Sequence, residues 1–248
     1  MTAIHVESLR KSFGDVTAVD DLTMRIEPGE LFGLLGPNGA GKTTTLEILT
    51  GQTIRDAGSV RVLGIDPTEE PLEIRRQVGI LPEQESPPSL LSPREYLRFC
   101  GDVRGLPDDQ VDERIDRCST RLGFADRLDT LSTDLSRGQQ QKVMIAAAFL
   151  HEPAIMFIDE PLANLDPIVQ ERVKRILTEY REAGNTVLLS THNVGVASEL
   201  CSRVGILEAG RLIDEIDPAT LAPDHSLLDA FFERIDSGKQ SAIDPHAV

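Results

Sequence analysis

Gly36-Pro37-Asn38-Gly39-Ala40-Gly41-Lys42-Thr43 matches the pattern G-x-x-x-x-G-K-[ST], which is typical of loops that bind the phosphates of a nucleoside triphosphate. A phosphate cluster needs backbone N–H groups that point inward, and glycine adopts the required angles without a Cβ clash. Lys42 can place a positive charge on the β- and γ-phosphates, and the Thr43 hydroxyl can ligate Mg²⁺. A helix that starts here directs its positive end at the anion. The stretch therefore predicts binding of a nucleoside triphosphate.

The residues on either side of the loop fit this interpretation. The apolar run 31–35 has the length of a buried strand, and residues 44–50 are typical of a helix that Gly51 can end. Strand, glycine-rich loop and helix follow in the order that such a phosphate site needs. We therefore predict an α/β fold in which this loop joins a parallel sheet to a helix.

The composition restricts the function further. The 248 residues suffice for one large domain or a domain with a subdomain, and the formal net charge of −16 argues against a nucleic-acid surface. No apolar run has the ~20 residues of a membrane span, and no signal peptide is visible. Three scattered cysteines indicate a reducing cytoplasm rather than disulfides or a zinc site. The acidic excess fits a salt-adapted cytosol and an ordinary acidic protein equally well.

Two further units are predicted around the core. Alternating residues in 4–9 and 22–26 indicate an antiparallel start, with Phe13 in the intervening loop. An aromatic ring there could stack on adenine, although composition alone favours a partly buried loop residue. A polar, proline-rich loop then leads into a helical insert at about residues 87–150, and Ser92-Pro93-Arg94-Glu95 forms a capping box within it. Residues 236–248 are expected to form a loose polar tail.

Polar residues follow two apolar runs of strand length. Asp159 and Glu160 end the run 154–158, where Asp159 could hold Mg²⁺ and Glu160 could polarise a water molecule. His192 follows the second run and could reach a γ-phosphate. We expect His5, His151, His225 and His246 on the surface. Ser136 can cap the next helix or, together with Gly138, contribute a second anion site.

The order of these motifs resembles the ATP-binding cassette family, specifically the nucleotide-binding subunit of an ABC transporter. The resemblance rests on the glycine-rich loop, Leu135-Ser136-Arg137-Gly138-Gln139, Phe-Ile-Asp-Glu-Pro at 157–161 and Ser-Thr-His at 190–192, and it covers about residues 2–235. It implies a P-loop ATPase core, with a RecA-like parallel sheet and flanking helices, an N-terminal antiparallel β subdomain and an inserted α-helical subdomain. The LPEQ loop and the SLLDAFFERI segment are similar to the multidrug and small-molecule export branch.

The resemblance also implies roles for individual residues. Phe13 corresponds to the aromatic residue that stacks on adenine, residues 36–44 including Thr44 to Walker A, and 135–139 to the signature, in which Ser136, Gly138 and Gln139 act on the ATP of a partner. Asp159 corresponds to the Walker B metal residue and Glu160 to the catalytic base. Asp166 corresponds to the D-loop and His192 to the switch histidine. The implied cofactors are ATP and Mg²⁺.

The sequence departs from the family pattern in three places. Glu83 falls where the Q-loop glutamine is usual, with Gln84 one residue later, and either could supply the metal-side oxygen. Arg137 replaces the first glycine of LSGGQ. Residues 162–164 replace Thr-Ser-Gly, although Leu165 and Asp166 are retained.

The family also implies partners and a location. We expect a homodimer or heterodimer of ATP-binding subunits, a separate transmembrane permease, no nucleic acid, and a cytoplasmic location on the inner face of the membrane. Two alternatives remain open from sequence: a soluble ABC ATPase of DNA repair or translation, and a regulatory module with little turnover.

Overall fold

A six-stranded sheet carries the glycine-rich loop at the end of a central strand. The computed structural model describes residues 2–162, 165–222 and 224–241, with side chains described through Ile235. The strands are β3 (Leu31–Leu35), β5 (Val78–Leu81), β6 (Ile155–Asp159), β7 (Thr186–Thr191), β8 (Arg203–Glu208) and β9 (Arg211–Ile216). Their order is β5-β6-β7-β3-β8-β9, and only the β8–β9 pair is antiparallel. Every residue of β3, β6 and β7 is buried, as expected for strands covered on both faces.

A second, antiparallel sheet packs against this core. It consists of β1 (Ile4–Phe13), β2 (Val16–Ile26) and β4 (Ala57–Val62) in the order β2-β1-β4. Its buried side chains share one apolar cluster with Phe32 and Leu34 of β3. The predicted antiparallel unit is confirmed, but Phe13 is the last residue of β1 and pairs with Val16 instead of lying in the loop.

Helices flank the sheet and build the predicted insert. The core helices are α1 (Lys42–Leu49), α2 (Pro71–Gln77), α6 (Pro167–Glu182), α7 (Val194–Leu200) and α8 (Leu227–Ser241). The insert contains α3 (Pro93–Val103), α4 (Asp108–Leu122) and α5 (Arg137–Phe149). The stripe of Val111, Ile115 and Leu122 on α4 is buried in the same cluster as Leu81 and Ile158 of the sheet. The insert is therefore anchored to the sheet through a shared apolar core.

The C-terminal helix differs from the prediction. It continues through Ser241, so the first six residues of the predicted tail 236–248 are helical, while residues 242–248 lie outside the described part of the chain. In residues 2–162, 165–222 and 224–241, no helix has both the length and the apolar character needed to cross a membrane.

The expected surface position of His151 is wrong. The residue follows α5 and packs under the sheet edge, where its Nε2 lies 3.1 Å from the carbonyl oxygen of Val78. Burial lowers the pKa of His151 to about 4, and the nearby Arg104 guanidinium acts in the same direction. His246 lies outside the described residues.

Candidate functional site

Two glycines of the loop are required by the packing behind it. A Cβ on Gly36 would lie 2.2 Å from the carbonyl oxygen of Leu207. Gly41 has a φ of 100°, and a Cβ there would lie 2.2 Å from the carbonyl oxygen of Ala18. Because both obstacles are backbone atoms, no side-chain movement could relieve either clash. The fold therefore fixes the loop between the two sheets.

Lys42 folds back over its own loop. Its Nζ donates hydrogen bonds to the carbonyl oxygens of Gly36 (2.8 Å) and Pro37 (3.1 Å), and the residue is only 7% exposed. Burial lowers the pKa of Lys42, although the carboxylates of Glu160, Asp159 and Glu83 oppose this change. The loop thus holds a desolvated cation close to three carboxylates, in a position where it could bind a polyphosphate.

Thr43 and Asp159 meet at the carboxyl edge of the sheet. The Thr43 hydroxyl donates to Oδ2 of Asp159 over 2.7 Å, and Asp159 is 5% exposed at the end of β6. β3 and β6 both pair with β7, so the start of α1 and the end of β6 lie on the same edge. A hydroxyl and a carboxylate oxygen are hard ligands of the kind that Mg²⁺ prefers. The donor set therefore fits Mg²⁺.

Glu160 is held by the end of the neighbouring strand β7. Its carboxylate accepts hydrogen bonds from the Thr191 hydroxyl (3.0 Å) and from the backbone N–H of His192 (2.7 Å). Nδ1 of His192 lies 2.6 Å from Oε1 of Glu160, and the imidazole is 61% exposed. The Glu160 backbone has a φ of 49°, and its N–H donates to Ser190. The carboxylate is thus fixed in position next to a ring that faces solvent.

One cavity of about 470 Å³ joins these groups. The residues that line it are Val16, Thr17, Ala18, Asn38, Gly39, Gly41, Lys42, Thr43, Thr44, Glu83, Asp159, Glu160 and His192. Sequence reasoning missed the three residues of β2, because no motif marks them and only the pairing of β1 with β2 brings them here. It also missed Thr191, although the Ser-Thr-His stretch was the available signal.

Three predicted residues of the loop, Gly36, Pro37 and Ala40, do not line the cavity themselves. Gly36 and Pro37 supply the carbonyl groups that accept from Lys42, and Ala40 is 2% exposed, with its carbonyl accepting from Gly210. Their part is to shape the loop.

Other predicted residues lie apart from the cavity. Ser136 caps α5, where its hydroxyl accepts from the Gln139 N–H and the Gln139 side chain accepts from the Ser136 N–H. Gly138 lies in the same first turn. Asp166 caps α6 by accepting from Ile168 and Val169. Among the described residues that line the cavity, none comes from the starts of α5 and α6.

The structure separates Phe13, Glu83 and Gln84. The Phe13 ring is half exposed, and Nζ of Lys11 lies 5.1 Å from its centre. Phe13 itself does not line the cavity, although its strand partner Val16 does. Glu83 lines the cavity, whereas Gln84 lines a different one against α5. Of these two residues, Glu83 is the one that shares a cavity with Thr43 and Asp159.

Comparison with protein-family models matches residues 19–163 to the family described as ABC transporter. The chain belongs to this family. Nod factor export ATP-binding protein I of Cupriavidus metallidurans is 36% identical over 235 residues, which are 93% of this chain and 74% of that protein. The probable multidrug ABC transporter ATP-binding protein YbhF of Escherichia coli is 34% identical over 94% of this chain, which spans 42% of that longer relative.

Solved structures agree with the sequence relatives. The ATP-binding subunit of an ABC transporter superposes with a TM-score of 0.88 at 29% identity, over 94% of this chain and 100% of the other. A dimeric ATP-binding cassette in a post-hydrolysis state, bound to ADP and Pi, superposes with a TM-score of 0.81 at 25% identity. The superposition covers 87% of this chain and 98% of the other. This ABC protein is therefore an ATP-binding and ATP-hydrolysing subunit of a transporter, and the DNA-repair alternative receives no support.

Proposed function

We propose that the 470 Å³ cavity binds ATP with Mg²⁺, that two chains close over two such sites, and that hydrolysis drives a separate membrane permease. The observation that carries this proposal is the convergence of Lys42, Thr43, Asp159, Glu160 and His192 on one cavity. A cation, a hydroxyl–carboxylate pair and a second, fixed carboxylate are the groups that phosphoryl transfer to water needs.

Each of these residues receives a separate role in the proposal. Lys42 and the N–H groups of the loop bind the β- and γ-phosphates, and the start of α1 adds its positive end. Thr43, Asp159 and Glu83 would hold Mg²⁺, which when bound neutralises charge on the phosphoryl oxygens. Glu160 orients the attacking water and takes up its proton.

His192 connects this chemistry to the phosphate. Its Nδ1 lies 2.6 Å from Glu160, which leaves Nε2 to point away from that carboxylate. We assign His192 the role of holding the γ-phosphate while Glu160 holds the water. The Thr191 hydroxyl and the backbone N–H of His192 keep Glu160 in place, so the base does not have to be ordered during the reaction.

A second chain supplies the rest of the site. Ser136, Gly138 and Gln139 lie at the exposed start of α5, outside the cavity of their own chain. The start of a helix offers free N–H groups to an anion, and the related cassette in its post-hydrolysis state is a dimer. We assign these residues to the ATP of the partner, and Asp166 to the contact between the two sites. The partner is a second copy or a close relative. Phe13 would stack on adenine after a change of side-chain rotamer.

The permease is proposed from the relatives. Their names describe a Nod factor export protein and a probable multidrug transporter, so we propose export of a small molecule. Binding to such a permease would place this subunit on the cytoplasmic face of the membrane.

The variant Glu160→Gln tests the assignment of the base. We expect ATP hydrolysis to fall about a hundredfold or more, because a general base contributes on the order of 10²–10⁴ to the rate. ATP should still bind, and size-exclusion chromatography with light scattering should show a dimer with ATP but not with ADP. The exposed Glu69→Gln is the control and should hydrolyse normally. Normal turnover by Glu160→Gln would refute the assignment.

A further inference from the structure

A second polar cavity adjoins the ATP site. It measures about 500 Å³ and lies between the loop that follows β5 and the first turns of α5. The residues that line it are Glu83, Gln84, Glu85, Ser86, Arg137, Gln140 and Gln141. We call this space the loop cleft. It is lined almost entirely by polar side chains, so its contents are governed by charge and hydrogen bonding.

Glu83 is the residue that the two cavities share. It lines the ATP site together with Lys42, and its charge raises the pKa of that lysine against the effect of burial. The residues that line the loop cleft with it include one cation, Arg137. Both Glu83 and Arg137 are exposed, so each side chain can change rotamer at little cost. Glu83 therefore shares a cavity with each of two cations, Lys42 in the ATP site and Arg137 in the loop cleft.

Gln141 provides an independent indication of what the loop cleft accepts. The residue is 7% exposed, and its Nε2 has no hydrogen-bond partner among the described residues. A buried amide donor without an acceptor is destabilising, so such groups normally face an oxygen atom. Gln141 and Arg137 both line the loop cleft, and an oxygen acceptor in this cleft would give the amide a partner.

The two carboxylates of the loop are not equivalent. Glu85 acts on Tyr96 of α3, where its charge adds to burial in raising the pKa of the phenol. It lines the loop cleft but not the ATP site. Glu83 alone of the two borders both cavities. Their presence also disfavours an external anion in the cleft, because like charges repel.

We propose that Arg137 is a positioning residue that draws the Glu83 carboxylate into the loop cleft, with the Gln141 amide as second donor, and so keeps its charge away from the triphosphate until a metal ion is bound. The inference rests on the proposed function of the ATP site. Glu83 and Arg137 are also two of the positions that depart from the family pattern. Glu83 adds a negative charge where the family usually has glutamine, and Arg137 adds a positive charge where it usually has glycine. They act as one unit, with the departure in the loop compensated by the departure in the signature.

The test is a double-mutant cycle on ATP affinity. Wild type, Glu83→Gln, Arg137→Gln and the double variant are titrated with ATP in EDTA and again with Mg²⁺, under conditions without turnover. We expect Arg137→Gln to weaken metal-free ATP binding about three- to fivefold, the effect of one charge pair near a surface. In the Glu83→Gln background the same change should have no effect. With Mg²⁺ the coupling should shrink, because the metal then neutralises Glu83.

Glu85→Gln is the matched control, since it removes the same charge from the same cleft. It should show no coupling to Arg137→Gln. The inference would be overturned if Glu83→Gln and Arg137→Gln changed the ATP affinity additively. It would also be overturned if Arg137→Gln coupled to Glu85→Gln as strongly as to Glu83→Gln. Arg137→Lys keeps the charge and should retain most of the affinity, whereas loss in this variant as well would indicate a structural effect. If the wild type itself bound no ATP, the proposed function would fail instead.

Discussion

Glu160 shows how a single residue is prepared by its surroundings. A φ of 49° is unusual for a residue other than glycine and costs on the order of 1–3 kcal/mol. The backbone N–H bond to Ser190 and the bonds from Thr191 and His192 maintain this conformation. The turn directs the carboxylate across the end of β7 toward the cavity. The conformational cost thus accompanies a carboxylate, our proposed base, whose position is fixed without ATP.

His151 allows a prediction about pH. Its pKa is about 4 in the folded chain and near 6.5 when unfolded, so the unfolded state binds more protons between these values. Stability should therefore be unaffected above about pH 7 and fall as the pH decreases. Between pH 7 and pH 5 we expect this group to reduce the free energy of unfolding by about 1–2 kcal/mol.

The check is urea denaturation of the wild type and of His151→Gln at the two pH values. Glutamine has an N–H that can donate to Val78 but does not titrate. The variant should lose less stability than the wild type on acidification. Equal losses in the two proteins would show that the buried imidazole is not responsible.

Residue-level prediction from sequence succeeded where chemistry marked the position. Lys42, Thr43, Asp159, Glu160 and His192 follow strands or start a helix at the carboxyl edge of a parallel sheet. Their proximity could therefore be foreseen, and all five line the same cavity. His151 carries no local mark, and its burial results from packing against the distant β5. Residues 16–18 reach the cavity only through the pairing of β2 with β1, which alternation of polar and apolar residues does not reveal.

At the scale of elements, two helices of the insert begin with the same motif. Ser92 with Glu95 starts α3 and Ser136 with Gln139 starts α5, and both form complete capping boxes. The local energetics of the two starts are therefore comparable. They differ in function, because we assign only the start of α5 to the ATP of a partner.

Serine-to-alanine variants at these two positions separate stability from function. Ser92→Ala and Ser136→Ala should each lower the free energy of unfolding by about 1 kcal/mol, as loss of a cap does. Only Ser136→Ala should also reduce ATP-dependent dimer formation and hydrolysis. Denaturation curves, light scattering and ATPase rates measure these effects. Equal hydrolysis by the two variants would contradict the role of Ser136.

The boundaries of elements were less predictable than their existence. The apolar runs gave β3, β6 and β7 nearly to the residue, because a strand buried on both faces requires an uninterrupted apolar sequence. The end of α8 was missed by six residues. Residues 236–241 are mostly polar and lack apolar periodicity, yet a helix that already exists gains a hydrogen bond with each added residue.

At the scale of the whole molecule, the residues that we assign to the ATP site lie in two separate places on the fold. The sheet and α1 carry the phosphate loop, the carboxylates and His192, whereas the insert carries Ser136 and Gly138 on a separate helix start. A single chain presents both halves but does not join them in its own cavity. We therefore propose that this chain hydrolyses ATP only as a dimer.

The most direct test mixes two chains that are each inactive. Lys42→Ala lacks the phosphate-binding cation but keeps its signature, whereas Ser136→Arg keeps the loop but blocks the signature. Each variant alone should be nearly inactive, and the wild type provides the reference rate. The mixture should recover a clear part of that rate, because one site of the mixed dimer combines an intact loop with an intact signature. A mixture no more active than the sum of its components would contradict the claim.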